Sequence, residues 1–200
     1  MAGTFRVGVL LSGSGSNLQA ILDGRASDYQ VAVVISDRAD ALGLERARRA
    51  GVPTVYVDPK TFEGREAFNE ALADSLRTHD VDLVCLAGFM RILRANFVKA
   101  FEGRILNIHP ALLPAFPGAH AVRDALEWGA KVTGATVHLV DEEVDHGPIL
   151  LQRAVTIEPG DDEQTLHERI KAIEHEIYPE AIRLFAAGRV KIEGRRVVII

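Results

Sequence analysis

Cysteine, basic charge and long apolar runs are all scarce in this 200-residue chain. Cys85 is its single cysteine, which excludes an intramolecular disulfide framework and a cysteine-rich zinc site and is typical of a reducing compartment. The 23 basic residues are outnumbered by 28 acidic ones, and a net charge of −5 disfavours a nucleic-acid partner, which needs a clustered basic surface. The longest apolar runs, Val7–Leu11 and Val81–Ala87, fall far short of the roughly 20 residues of a membrane helix. Since Met1–Arg6 has no charged leader, we expect a cytoplasmic protein without a membrane partner.

The composition is that of an ordinary globular domain. Hydrophobic residues make up 48% and charged residues 26% of the chain, and the mean hydropathy of +0.07 gives no sign of disorder. In the first half, short β-branched runs alternate with longer amphipathic ones, which is the pattern of βα units that wind a parallel sheet. We therefore predict an α/β protein with a Rossmann-like, mostly parallel twisted sheet, helices on both faces, and antiparallel strands in the C-terminal half.

The predicted elements follow the apolar periodicity. Strands are expected at Phe5–Leu11, Val31–Ile35, Thr54–Val57, Val81–Ala87, Arg104–His109, Thr133–Val140 and Ile149–Ile157, with a terminal hairpin at Val190–Ile200. Helices are expected at Asn17–Gly24, Ala41–Ala50, Glu63–Thr78, Ala95–Phe101 and His120–Trp128, with a long helix or helix pair at Asp161–Ala187. The sequence changes character at a proline-rich bend near residue 110, which predicts one domain over residues 1–200 with two lobes, 1–110 and 111–200, and a cleft where they meet.

The turn Ser12–Asn17 is rich in glycine and serine and opens the first predicted helix. Backbone N–H groups at such a helix start, left uncovered by glycine, form a cradle suited to phosphate. The turn also has the Gly-x-Gly start of a dinucleotide fingerprint, and Asp37 lies where such folds place a ribose-binding acid, but Leu18 occupies the place of the third glycine. We therefore favour one terminal phosphate over NAD, and a plain glycine turn is the third interpretation.

Asn107 and His109 lie two apart at the end of the fifth predicted strand, just before Pro110. With period-2 alternation both side chains leave the same face, at the strand end where open α/β sheets bind ligands. An amide and an imidazole together can donate to a developing oxyanion and exchange a proton. The alternative is that they only satisfy backbone groups at a strand end. If the acidic loop 141–148 folds over this strand, Asp145 lies near His109 with a tunable pKa.

The other candidate groups carry less chemistry. For His138 we favour a satisfied core histidine over a functional one. No metal site is predicted, because the remaining histidines of the second half lack metal-ligand spacing: His120, His146, His167 and His175. No Gly-x-Ser-x-Gly elbow occurs and Cys85 has no adjacent base, so the nucleophile is expected to come from a substrate. Gly88–Leu93 offers apolar side chains and one arginine at the sheet edge, which suits a flat heteroaromatic ligand with an acidic tail; an ordinary loop is the alternative.

Five motifs occur in order along the chain, at Gly13–Asn17, Ala87–Leu93, Leu106–Pro114, Gly134–His138 and Asp145–Ile149. Together they resemble the glycinamide ribonucleotide formyltransferases, a family of folate-dependent enzymes of purine synthesis, over residues 6–189. The resemblance implies transfer of the formyl group of 10-formyltetrahydrofolate, a co-substrate, to the amine of 5-phosphoribosylglycinamide, by direct amine attack and without a metal. It implies small-molecule substrates and allows a homodimer. An aromatic residue is expected where this chain has leucine at position 139.

The resemblance also implies roles residue by residue. The catalytic residues that it implies are Asn107, His109 and Asp145. The residues implied to bind the ribonucleotide are Gly15, Ser16, Asn17, Lys171, Ala172, Ile173 and Glu174. The residues implied to surround the folate are Arg65, Met90, Arg91, Ile92, Leu93, Asn107, Asp141, Glu142, Glu143, Val144 and Asp145. Residues 1–110 then form a phosphate- and nucleotide-binding lobe, residues 111–200 form a folate and catalytic-loop lobe, and Leu113–Pro114 matches a cis-proline of the family.

Several alternatives share part of this pattern. A formyltetrahydrofolate hydrolase or a methionyl-tRNA formyltransferase can reuse the same amide, imidazole and carboxylate, but both usually carry a further domain, for which 200 residues leave no room. The acidic net charge also disfavours tRNA. A nucleotide-binding regulatory module needs the phosphate turn without the catalytic set, and a nicotinamide dehydrogenase needs the third glycine.

Overall fold

The computed structural model describes residues 4–24 and 28–200. Within these ranges the chain forms a seven-stranded sheet and a separate two-stranded hairpin. The strands are β1 Phe5–Leu11, β2 Tyr29–Ser36, β3 Thr54–Tyr56, β4 Leu83–Leu86, β5 Ile105–His109, β6 Val132–Leu139, β7 Ile149–Thr156, β8 Val190–Glu193 and β9 Arg196–Ile199. The α-helices are α1 Ser16–Asp23, α2 Leu42–Arg49, α3 Arg65–Thr78, α4 Ala95–Ala100, α5 Ala121–Trp128 and α6 Glu163–Ala186, and a 3₁₀ turn spans Pro59–Thr61.

The sheet has the strand order β3-β2-β1-β4-β5-β6-β7. The first five strands pair in parallel, while β6 runs antiparallel to both β5 and β7. Both faces are covered, which explains why the parallel strands are nearly continuous apolar runs. In β1, Val9 and Leu11 belong to one core cluster and Leu10 to the other. The predicted α/β class, the mostly parallel sheet and the antiparallel C-terminal half are confirmed.

The segment predicted as a long helix or helix pair is the single helix α6. A capping box between Asp162 and Thr165 starts it, and Pro179 lies inside it. Pro179 packs closely on the end of α1, where a Cβ added to Gly24 would lie 2.6 Å from the proline Cβ. The buried Tyr178 hydroxyl lies 2.9 Å from the Leu86 carbonyl oxygen and 3.0 Å from that of Leu106, so α6 is tied to β4 and β5.

The proline-rich bend near residue 110 does not divide the sheet into two. β5 lies before it and β6 after it, and the two are hydrogen-bonded neighbours, with Asn107 opposite His138 and His109 opposite Thr136. The predicted terminal hairpin is present as β8 and β9, and the Leu113–Pro114 bond is cis. In the described parts of the chain, no helix combines the length and apolar character needed to cross a membrane.

Candidate functional site

Asn107 and His109 stand at the carboxyl end of β5, as their spacing predicts. The loop between β6 and β7 folds over this end, and the expected contact of Asp145 with His109 is present. The distance from His109 Nδ1 to Asp145 Oδ2 is 3.3 Å, and the two side chains are only 5% and 10% exposed. An amide, an imidazole and a carboxylate therefore meet in one half-buried volume.

The hydrogen-bond partners of His109 restrict where its protons lie. Nε2 is 2.8 Å from the Phe116 carbonyl oxygen, which can only accept, so Nε2 carries a hydrogen. In the neutral ring Nδ1 is then a bare lone pair that faces the Asp145 carboxylate. These two hydrogen-bond acceptors face each other over 3.3 Å, and the contact becomes a hydrogen bond when one proton lies between them. The pair formed by His109 Nδ1 and Asp145 Oδ2 is therefore a place that can take up a single proton.

His138 belongs to this cluster as well, and its burial and hydrogen bonds agree with its interpretation as a satisfied core histidine. It is 2% exposed, as a core residue would be. Its Nδ1 donates to the Leu139 carbonyl over 2.7 Å, so in the neutral ring Nε2 accepts, and Asn107 Nδ2 lies 3.1 Å away. The other amide hydrogen of Asn107 reaches Asp145 Oδ1 over a longer 3.3 Å. His138 thus fixes which way the Asn107 amide points.

The pairing of β5 with β6 indicates that His138 belongs to the site, whereas the pattern of β6 alone does not. On β6, Thr136 and His138 are polar residues at period 2, opposite the two polar residues of β5. Facing polar pairs on two neighbouring strands share one face and so build one site. Recognising this needs the β5–β6 register, which the chain order alone does not give.

The pKa values of the cluster are shifted by burial and by neighbouring groups. Burial lowers the pKa of His109, although Asp145 and the Phe116 carbonyl act against it. Burial alone would raise the pKa of Asp145, but the contact with His138, the hydrogen bond from the Gly118 N–H and the charge of His109 leave the pKa below its usual value. The resting pair is thus a neutral imidazole beside an ionised carboxylate, ready to accept a proton.

These shifts predict that the free energy of unfolding falls as the pH drops below about 6.5, the usual pKa of histidine. Because the pKa of His109 is lowered in the folded protein, the unfolded chain binds the proton more readily in this range. Burial lowers the pKa of His167 and His175 as well, which adds to the loss. Below about pH 4, protonation of Asp145 removes the stability that its lowered pKa provides.

Urea unfolding at a series of pH values measures this effect. The variant His109→Asn should lose less stability than the wild type between about pH 7 and pH 5, because it lacks one of the depressed histidines. An identical loss in both proteins would show that His109 does not contribute.

The proline-rich bend delivers backbone groups to the site. Thr136 anchors it: the Thr136 hydroxyl donates to the Ala111 carbonyl over 2.6 Å and accepts from the Leu113 N–H over 3.1 Å. Beyond this anchor, the Phe116 carbonyl faces His109, and the Gly118 N–H donates to Asp145 Oδ2 over 2.8 Å. The bend is therefore a wall of the site.

The glycine-rich turn after β1 has the conformation that a cradle requires. Gly15 is the N-cap residue of α1, with a φ of 70° and no side-chain cap. A Cβ added there would lie 2.6 Å from the Gly43 Cα of α2, so only glycine fits. The first N–H groups of α1 have no acceptor inside the helix, and they point to the same sheet edge as β5.

Glu174 of α6 meets this turn. It is buried, and Asn17 Nδ2 donates to its Oε2 over 2.9 Å. Burial raises the pKa of Glu174 in spite of Asn17 and Lys171. Within the described residues, the Asn17 Oδ1 atom is buried without a hydrogen-bond partner. The two predicted ribonucleotide segments thus come together, and one buried acceptor between them is left unpaired within the described residues.

Asp37 and Arg91 are engaged with each other. Asp37 Oδ1 accepts from the Ser12 hydroxyl over 2.6 Å, and Asp37 Oδ2 accepts from Arg91 Nε over 2.6 Å. The guanidinium also lies 5.6 Å from the centroid of the Phe68 ring. Asp37 is therefore a brace between the ends of β1 and β2 and the segment after β4, and it is not free to bind ribose.

The remaining predicted folate residues lie after β4, in the β6–β7 loop and at the start of α3, and among them Leu93 is partly buried against a core cluster. Met90 and Ile92, after β4, are 74% and 59% exposed, and Val144 of the β6–β7 loop is 56% exposed. Arg65 is exposed at the start of α3. A cleft of about 770 Å³ opens elsewhere, between α1, α2 and α6, and of the predicted site residues it is lined only by Ser16. Among the described residues, no group of three or more His, Cys, Asp and Glu side chains is arranged to hold a metal.

Comparisons with known proteins agree with the resemblance in the sequence. Residues 5–182 match the profile of the formyl transferase family. The chain is 49% identical over 190 residues to the human trifunctional purine biosynthetic protein adenosine-3, covering 94% of this chain and 19% of that protein. It is 47% identical over 187 residues to phosphoribosylglycinamide formyltransferase of Escherichia coli, covering 92% of this chain and 88% of that protein. The crystal structure of glycinamide ribonucleotide transformylase 1 from Symbiobacterium toebii matches with a TM-score of 0.96 at 61% identity, covering 98% of this chain and 94% of that one.

Fold and site define a Rossmann-like α/β protein with a buried proton-accepting cluster at the carboxyl edge of its sheet. The chain belongs to the formyl transferase family. It spans 14% to 19% of the length of the trifunctional relatives and most of the length of the bacterial ones named phosphoribosylglycinamide formyltransferase.

Proposed function

We propose that the chain transfers the formyl group of 10-formyltetrahydrofolate to the amine of 5-phosphoribosylglycinamide, a step of purine biosynthesis. The observation that carries the proposal is the contact of His109 with Asp145 beside Asn107, on the sheet edge that also holds the Gly15 turn. The names of the bacterial relatives point to the same acceptor.

The ribonucleotide acceptor fits the distance between turn and cluster. β1 and β5 flank β4 in the sheet, so their ends are about 10 Å apart. A phosphorylated sugar that carries a short amide can span this distance. The N–H groups after Gly15 suit its phosphate, and the free Asn17 Oδ1 beside Glu174 suits a ribose hydroxyl.

The formyl donor fits the exposed apolar side chains that follow β4 and β6, the two strands that flank β5. Met90, Ile92 and Val144 are the kind of surface that a flat heteroaromatic ring covers. Arg65 is exposed and can pair with an acidic tail. When bound, 10-formyltetrahydrofolate supplies the formyl carbon that the amine attacks.

The protein groups then stabilise charge and move one proton. Asn107 can exchange its long 3.3 Å bond to Asp145 for one to the developing negative charge on the formyl oxygen. The His109 Nδ1 and Asp145 Oδ2 pair takes up the proton that the attacking amine loses, and returns it to the nitrogen of the donor as the carbon–nitrogen bond breaks. No enzyme nucleophile takes part, and holding both substrates together supplies much of the acceleration.

An assay with 10-formyltetrahydrofolate, with and without the ribonucleotide, tests this function. Loss of the formyl group that needs the ribonucleotide and yields the formylated product supports transfer. Loss without the ribonucleotide identifies a hydrolase instead. No reaction in either case, with tight binding of the ribonucleotide, identifies a binding module.

The variant His138→Leu tests how the amide is oriented. Removing the imidazole leaves Asn107 Nδ2 without its 3.1 Å acceptor, so the amide can rotate away from its working orientation. We expect kcat to fall about 10- to 100-fold, the range for a lost positioning contact, with the KM for the ribonucleotide unchanged. The exposed His120 supplies the control His120→Leu, and equal activities of the two variants would contradict the role of His138.

The remaining predictions concern the location, the oligomeric state, the partners and the lobes of the protein. A cytoplasmic location, a homodimer, the absence of nucleic-acid and metal partners, and the division into a phosphate lobe and a folate lobe stay predictions from the sequence.

A further inference from the structure

The loop that carries Asp145 is tied to the C-terminal hairpin, which lies beyond the segment that matches the family profile. Arg195 occupies the two-residue turn between β8 and β9. Its Nη1 lies 2.9 Å from His146 Nε2, and its Nη2 donates to the His146 carbonyl over 2.8 Å. His146 directly follows Asp145 in the chain. Arg195 therefore contacts the residue next to the carboxylate of the site.

The His146 side chain is contacted from two sides. His146 Nδ1 lies 2.8 Å from Asp141 Oδ2, which only accepts, so Nδ1 carries a hydrogen, and Arg195 Nη1 lies over the ring, 2.9 Å from Nε2 and 3.4 Å from Nδ1. Glu143 Oε1 is 4.0 Å from the same Nδ1. The loop is thus closed internally by Asp141 and externally by the hairpin.

The backbone at Asp145 needs such support. Its φ of 51° is in the left-handed region, which is unfavourable for a residue with a Cβ and persists where neighbouring contacts hold it. The Gly118 N–H and Asn107 hold the Asp145 side chain, and Arg195 holds the next carbonyl along the chain. Another tie of the loop to the rest of the chain is an exposed ion pair of 3.8 Å between Lys99 and Glu142, which contributes little.

The hairpin itself is fixed to the body of the protein. β9 lies against β7, and Val190 and Val197 pack on the core cluster that contains Leu150 and Leu151. A side chain that projects from its turn therefore starts from a fixed point and can position a loop.

We propose that Arg195 is a positioning residue, which holds the loop 141–146 through His146 and thereby sets the place of Asp145 opposite His109. The proposal rests on the function proposed above, because it assigns Asp145 to proton transfer and the loop to the formyl donor. A role confined to the stability of the hairpin is the alternative.

The variant Arg195→Ala should affect the binding of the formyl donor and the proton transfer, and leave the binding of the ribonucleotide unchanged. Losing both contacts should raise the KM for the formyl donor and lower kcat, each by about five- to tenfold, as expected for contacts of this strength. The KM for the ribonucleotide should not change, because Gly15 and Glu174 lie on other elements. Arg195→Lys should recover part of the effect, since one ammonium group can reach the carbonyl but cannot reproduce the two-armed contact.

The matched control is Arg196→Ala, which removes the same charge one residue further on. Arg196 is exposed and has no side-chain hydrogen bond or ion pair within the described residues. Hydrogen exchange of the amides in 141–148, without added substrates, supplies a readout independent of activity. We expect about five- to tenfold faster exchange in Arg195→Ala and no change in Arg196→Ala.

The outcomes separate the two proposals. If formyl transfer occurs but Arg195→Ala matches Arg196→Ala in kinetics and in loop exchange, the positioning role is wrong. If Arg195→Ala lowers kcat and leaves both KM values and loop exchange unchanged, it has only reduced the folded fraction, and the positioning role is again wrong. If the wild type transfers no formyl group, the proposed function fails, and the exchange measurement still decides whether Arg195 holds the loop.

Discussion

The variant Asp145→Asn should lower kcat for formyl transfer by about 10²- to 10⁴-fold, the usual contribution of a positioned general acid–base group. The amide has almost the same shape as the carboxylate and can still accept from the Gly118 N–H, so the loop should keep its position. It cannot, however, share a proton with His109 Nδ1 across the 3.3 Å contact. Steady-state kinetics with both substrates varied should therefore show a loss in kcat, with both KM values within about threefold of the wild type.

The control for this result is an exposed carboxylate outside the site. Asp124 of α5 is 40% exposed and pairs with Arg123 on the surface, so Asp124→Asn makes the same chemical change outside the site. It should leave kcat unchanged. Full activity in Asp145→Asn, with the circular dichroism of the wild type, would refute the role of the carboxylate.

The losses of kcat caused by substituting His109 and Asp145 should not multiply. Because the proton is held by the pair, the double variant His109→Ala/Asp145→Asn should be about as slow as the slower single variant. Multiplicative losses would show that the two residues act at separate steps. The double variant therefore tests the shared proton, whereas each single variant tests only whether its residue matters.

Local rules were enough to predict most of the fold. The parallel half follows from apolar runs of strand length separated by amphipathic ones, since a strand buried on both faces has no polar positions. Element ends were harder: β4 was predicted from Val81 but begins at Leu83, and β2 begins at Tyr29, before the predicted Val31. These ends depend on which backbone groups find a partner in the neighbouring strand, and that partner is distant in the chain.

The site was predictable where one segment carries it. Asn107 and His109 share a face because of strand periodicity, and the Gly15 turn follows from its residue types. His138 and Arg195 were missed because their roles arise between segments: His138 depends on the β5–β6 register, and Arg195 is 49 positions from His146. No local pattern encodes a contact of that kind.

The variant Gly15→Ala should raise the KM for the ribonucleotide about 10- to 100-fold and leave the KM for the formyl donor unchanged. The new Cβ would lie 2.6 Å from the Gly43 Cα and 3.3 Å from the Gly43 nitrogen, so the turn must shift against the backbone of α2. Each N–H that moves out of reach of the phosphate costs a charge-assisted hydrogen bond, worth about 1.5–3 kcal/mol. One such loss gives about the stated range.

Gly51 separates this effect from backbone strain. Its φ of 72° matches the 70° of Gly15, but a Cβ there meets nothing within 4 Å. Gly51→Ala should therefore lose about 1 kcal/mol of stability from the left-handed conformation, as Gly15→Ala does, and bind the ribonucleotide normally. If both variants bind it equally well, the turn does not hold the phosphate; if both bind it equally poorly, the loss reflects general destabilisation. If the KM for the ribonucleotide rises only in Gly15→Ala, the turn acts by letting its backbone approach the phosphate. The conformational freedom of glycine is then not what binding requires.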